Sequence, residues 1–137
     1  MQFYRPQRNE DSAVSKLNIK KTVDVPKDVA ELFQIACNDC HTNNTNYPWY
    51  ANIQPVGLLL DSHIKEGKTA LDFDDFGSYS IKKQYNKIKS IGQQIKDNTM
   101  PISSYTLMHE KANLTLGEKQ KITDWAEMTY EKMKNAN

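Results

Sequence analysis

A chain of 137 residues is long enough for one domain with its own core and short for two. Its 18 basic and 17 acidic residues nearly cancel, which argues against a nucleic-acid binder with its concentrated basic stripe. Hydrophobic residues make up only 38 % of the chain, and no run of about 18 apolar residues offers a bilayer span.

The elements read as helices joined by polar loops. Residues 1–24 lack periodicity and are expected to form an extended arm or tether, leaving 25–137 as the folded domain. The opening stretch MQFYRPQRN carries charge early and has no apolar signal core. Pro26 suits a first helical turn, and Val29, Leu32, Phe33 and Ala36 then recur at helical spacing toward Cys37. The segment TNNTNYPWYANIQ, residues 42–54, reads as loop. Pro55 opens a second helix, with Val56, Leu59, Leu60 and His63 on one face and Gly67 as its stop. DFDDFGS follows as an acidic loop. Asp72, Asp74 and Asp75 lack the spacing of a calcium loop and are expected to be solvated. Ile81, Tyr85, Ile88, Ile91 and Ile95 mark a third helix, and residues 98–114 an irregular stretch around Met100-Pro101. Thr115 and Glu118 form a T-x-x-E capping box that starts the last helix. Its inward face carries Ile122, Trp125, Ala126, Thr129 and Met133. No strand pattern competes, so the predicted class is all-α.

The chemistry lies in Cys37-Asn38-Asp39-Cys40-His41, which uses both cysteines of the chain. On a helix, positions i, i+3 and i+4 share a side, so two thiols and an imidazole are presented together. C-x-x-C-H supplies two thiols for the two vinyl groups of a haem and a ligand for its iron. A thioredoxin-like dithiol would need a helix start in a βαβ setting, and a zinc site would need two further ligands at finger-like spacing. Neither pattern is present. The expected cofactor is therefore one covalent haem c, and a large apolar group of this kind also suits so polar a chain.

A distal ligand is sought downstream. Met100 precedes a proline, which disfavours helical backbone at that position, and its thioether suits a sixth ligand that raises the reduction potential. The bland reading is a methionine filling a core gap. His63, on the apolar face of the second helix, is the rival ligand, with Met108 and His109 as weaker ones. Met128 and Met133 read as packing or surface residues. Tyr47, Trp49 and Tyr50 are candidates for the pocket wall. Trp49 and Tyr105 carry donors for a haem propionate or a backbone carbonyl, with ordinary packing as the alternative.

The segments CNDCHTNNTNYPWY, MPISSYTLMH and LTLGEKQKITDWA, together with the RPQRN arm, resemble the small haem-binding domain proteins of Bacteroidetes-type bacteria. The likeness covers nearly the whole chain. It implies a cytochrome c-like fold in which the first and last helices pack through Phe33 and Trp125, and Met100 as distal ligand. It further implies that Met1 begins a trimmed form of a protein tethered outside the cytoplasm by an N-terminal membrane anchor. An extracytoplasmic location also follows from the chemistry, since bacteria ligate haem c there.

With two protein ligands the iron has no free position for substrate. The expected function is one-electron transfer between periplasmic or membrane redox proteins, by a protein that is not an enzyme. A haem-based sensor or gas-binding module is the alternative, and it requires a weak or absent Met100 bond. A peroxidase lacks support, because no distal acid–base pair accompanies Met100 beyond His63 and His109.

Overall fold

The computed structural model describes residues 9, 16–42, 45, 47, 53, 56–101 and 110–136. Among them every regular element is helical, as the periodicity predicts: α1 (Ile19–Thr22), α2 (Lys27–Ala36), α3 (Asn38–His41), α4 (Val56–Ala70), α5 (Ile81–Lys96) and α6 (Leu116–Asn135). Short 3₁₀ turns lie at Phe76–Ser78 and Glu110–Ala112. No helix of the described residues is long and apolar enough to cross a membrane.

The frame is set by α5 and α6, which pack along much of their length. Both start on side-chain caps. Ser80 Oγ accepts from the Lys83 amide at 3.2 Å. Thr115 and Glu118 make both hydrogen bonds of the capping box, at 3.1 and 2.9 Å. Gly92 lets the two helices approach, because a Cβ there would lie 3.1 Å from the Cβ of Ala126. Ile88, Ile95, Ile122, Trp125 and Ala126 fill the seam. Ile81, which opens the isoleucine series, is 48 % exposed, one turn ahead of Tyr85, whose ring meets Tyr130 of α6 edge-on at 5.7 Å. Met128 is exposed, whereas Met133 is partly buried against the core.

Helix α2 packs against α6 through Phe33. Its ring meets Trp125 edge-on at 5.4 Å between centroids and stacks on Phe73 at 5.1 Å. Trp125 Nε1 donates to the Asp24 carbonyl at 2.9 Å, which secures the polar end of a buried indole. The predicted contact between the first long helix and the last is therefore present. Pro26 is the N-cap of α2, one residue before the position expected for it.

Four expectations need correction. Gly67 does not end α4, which continues to Ala70. Leu59 is 55 % exposed, because the buried face of α4 is set by Leu60 and Ile64, about a residue round the helix. The acidic loop is folded, with Phe73 and Phe76 in the core and Asp74 buried, accepting from Asn18 Nδ2 at 2.8 Å. Of its three carboxylates only Asp75 is exposed, while Asp72 is half-buried. Within the stretch read as an arm, α1 places Ile19 in the core, and the Ile19 amide donates to the Phe73 carbonyl at 2.7 Å.

Phe33→Ala should cost about 3–5 kcal/mol in denaturant unfolding, because it empties the contact shared by three aromatic rings. Thr115→Ala should cost about 1 kcal/mol. A cap mutant as damaging as the core mutant would contradict this placement of the core.

Candidate haem site

The five-residue motif does not simply close the first helix, as its sequence suggests. Helix α2 ends at Ala36, Cys37 takes a non-helical φ of −125°, and Asn38–His41 form a separate turn. The amides of Cys40 and His41 both point to the Cys37 carbonyl, at 3.2 and 3.1 Å, so the one-sided presentation of thiols and imidazole survives the break. Neither cysteine is in a disulfide.

Helix α4 packs directly against this turn. A Cβ on Gly67 would lie 2.7 Å from the Cys40 carbonyl oxygen and 3.1 Å from its Cβ. That approach explains a glycine in mid-helix, where it costs about 1 kcal/mol relative to alanine. Beyond Gly67 the chain leaves α4 at Leu71 and passes beside His41. The His41 Nδ1 lies 2.7 Å from the Leu71 carbonyl, and the His41 carbonyl accepts from the Phe73 amide at 2.6 Å. A carbonyl only accepts, so Nδ1 carries the proton and Nε2 keeps its lone pair for a metal. Burial holds the imidazole below its usual pKa, against the opposing pulls of the Leu71 and Gly67 carbonyls, which favours the neutral ring that can ligate.

Two adjoining cavities open in front of the motif. The larger, about 360 Å³, is lined by Cys37, Cys40, His41, His63 and Met100, and by the small residues Ala36, Gly67 and Ala70. The smaller, about 160 Å³, lies between α5 and the 71–73 segment and includes Leu71, Phe73, Ile91, Ile95 and Gln94. Cys37, His41, Ala70 and Met100 line both. The larger space is within the usual range of small-molecule and cofactor sites, of about 300–1,000 Å³.

Met100 reaches this space from a fixed turn at the end of α5. The Gln94 carbonyl accepts from the amides of Thr99 and, at 3.4 Å, Met100. Thr99 Oγ1 also donates to Gln94 Oε1. Asn98 adopts a left-handed φ of 57°, which asparagine tolerates better than most residues. Its Oδ1 accepts from Lys119 Nζ of α6 at 2.7 Å.

The structure thus brings Cys37, Cys40, His41, Met100 and His63 to one space. Trp49, Tyr50, Tyr105, Met108 and His109 lie outside the described residues. Tyr47 is half-buried, and its hydroxyl accepts from the Asn9 amide. The sequence reading missed Gln94, Ile91 and Ala70. The spacing of His63, Gly67 and Ala70 along one face of α4 was the available signal.

The chemistry of the donor set fits a haem. Two thiols, a neutral imidazole with its outer nitrogen occupied, and a thioether surround a space walled largely by small and apolar residues. Burial, and then the neighbouring Cys40, push the Cys37 thiol up to about 12, opposite to the low-pKa thiolate of a redox dithiol. Among the described residues no three His, Cys, Asp or Glu side chains converge as a metal-holding group.

A family model described as a haem-binding domain matches residues 1–128. No curated protein and no solved structure matches the chain.

Gly67→Ala should destabilise the protein by about 1–3 kcal/mol despite alanine's better helix propensity, because its methyl meets the Cys40 backbone. Gly117→Ala, whose Cβ meets nothing within 4 Å, should be neutral or stabilising. Thermal unfolding of the two variants checks the opposite signs.

Proposed function

We propose, from the premise that this chain belongs to the haem-binding domain family, that it is a monohaem c-type cytochrome carrying single electrons. Cys37 and Cys40 would hold the porphyrin as two thioethers, and His41 Nε2 and the Met100 sulfur would ligate its iron. When bound, the haem supplies a one-electron change between ferric and ferrous iron.

The observation that carries this reading is that His41 and Met100 line both cavities, whereas His63 lines only the larger. Met100 thus borders both spaces with His41, as His63 does not. The protein's own groups then set the properties of the site. The Leu71 carbonyl orients the His41 ring and strengthens Nε2 as a donor. A thioether opposite imidazole raises the potential relative to two imidazoles. Ala36, Gly67 and Ala70 put little side chain into the wall, which leaves room for a large planar group.

Two protein ligands leave no place for a substrate, so the reading is an electron carrier and not an enzyme. Its partners would be other redox proteins, met through a small transient contact. Attachment by thiols favours an extracytoplasmic site, where bacteria ligate haem c, and the likeness of the RPQRN arm supports the reading of a membrane-tethered native form.

Met100→Ala should abolish the sulfur-to-iron charge-transfer band and lower the potential by on the order of 100 mV, within the ~0.8 V that axial ligation spans. His63→Ala should leave both nearly unchanged. The reverse pattern would make His63 the ligand, and rapid, complete binding of carbon monoxide by the reduced wild type would contradict the carrier reading.

A further inference from the structure

The R-P-Q-R-N motif, residues 5–9, ends in an asparagine that is bonded on several sides to the region around Cys40 and His41. The Asn9 amide donates to Tyr47 Oη at 2.6 Å, and its carbonyl accepts from the Thr45 amide at 2.8 Å. Its Nδ2 donates to the Thr42 carbonyl at 2.7 Å and to Thr45 Oγ1 at 2.9 Å. Its Oδ1 accepts from Lys68 Nζ at 2.9 Å. These partners are distant in sequence but adjoin the site. Thr42 directly follows His41, is buried, and donates through Oγ1 to the Asn38 carbonyl at 2.6 Å. Lys68 follows Gly67, the residue in closest approach to Cys40.

The chemistry selects asparagine. Two donors and one acceptor on a short stem match two oxygens on the loop side and one ammonium on the helix side. Aspartate has the same shape and would still accept from Lys68, but it would set an oxygen against the Thr42 carbonyl. Glutamine would be one methylene too long for both sets of partners at once.

We propose that Asn9 is a positioning residue of the haem site, the latch by which the arm seats the turn carrying Cys40 and His41 against α4. Asn9 is then part of the site's frame. This rests on the reading that Cys37, Cys40 and His41 hold the haem.

The test uses full-length, natively matured protein carrying Asn9→Asp or Asn9→Ala, with Lys68→Met as a milder variant that removes one partner only. Thr115→Ala serves as a stability-matched control away from the site. Thr45 amide exchange should accelerate about tenfold or more in the Asn9 variants, as expected when one to two hydrogen bonds are lost. The reduction potential and the fraction of chains with covalent haem should both fall in the Asn9 variants, less so in Lys68→Met, and hold steady in Thr115→Ala. Faster exchange with unchanged potential and haem content would make Asn9 merely structural and overturn the inference. Wild-type chains lacking covalent haem would overturn the functional reading itself, and the inference with it. Haem-loaded wild type with Asn9 variants identical to it would overturn the inference alone.

Discussion

The hydrogen bond from His41 Nδ1 to the Leu71 carbonyl is the constraint on which the site depends. It assigns the imidazole tautomer and fixes the ring plane, and through them the direction of the free lone pair. The carbonyl is in place only because α4 runs past Gly67 to Ala70 and releases the chain beside the motif. That path requires a helix surface without a side chain where the Cys40 backbone crosses it. The same segment continues into Phe73, whose amide holds the His41 carbonyl and whose ring stacks on Phe33. Phe33 in turn meets Trp125. The orientation of one imidazole is therefore tied to the centre of the core by a short series of contacts, and the site is rigid for the same reason that the domain is folded.

The architecture divides this work between two kinds of element. The pair α5 and α6 is stabilised by its own caps and by an apolar seam, and it presents Met100 from the turn where α5 ends. The motif-bearing side is held mostly by long-range hydrogen bonds to backbone groups: Leu71 to His41, Phe73 to Ile19, and the Asn9 set around Thr42 and Thr45. Hydrogen bonds of this kind contribute about 1 kcal/mol each, so this side relies on many of them acting together. A buried planar group contacting both sides would join them through its own apolar surface. That is consistent with a chain in which hydrophobic residues are sparse.

What the sequence disclosed was what is local. The spacing of two thiols and an imidazole, the isoleucines of α5 and the T-x-x-E box each carry their meaning within a few residues, and the structure contains all three. The features that misled are those whose cause is distant in the chain. Gly67 reads as a helix stop until the Cys40 carbonyl is found where its Cβ would be. Asp74 reads as solvated until Asn18 is found beside it, 56 residues away. Ile19, a lone apolar residue in a polar stretch, shows no periodicity, because α1 is a single turn that gives one buried residue to the core. Leu59 errs in the other direction, since an apolar residue one position from the buried stripe faces outward. Gln94 looks like a surface residue of α5, yet its carbonyl and side chain fasten the turn that delivers Met100.

The central claim is that Cys37, Cys40 and His41 together grip a haem covalently. The most direct measurement is the intact mass of natively matured protein after denaturation and acid extraction, with thiol alkylation of the same sample. The account predicts a mass increased by one haem and two sulfurs that resist alkylation. A chain at its bare mass, with both thiols alkylated and the pigment left in the organic phase, would contradict it.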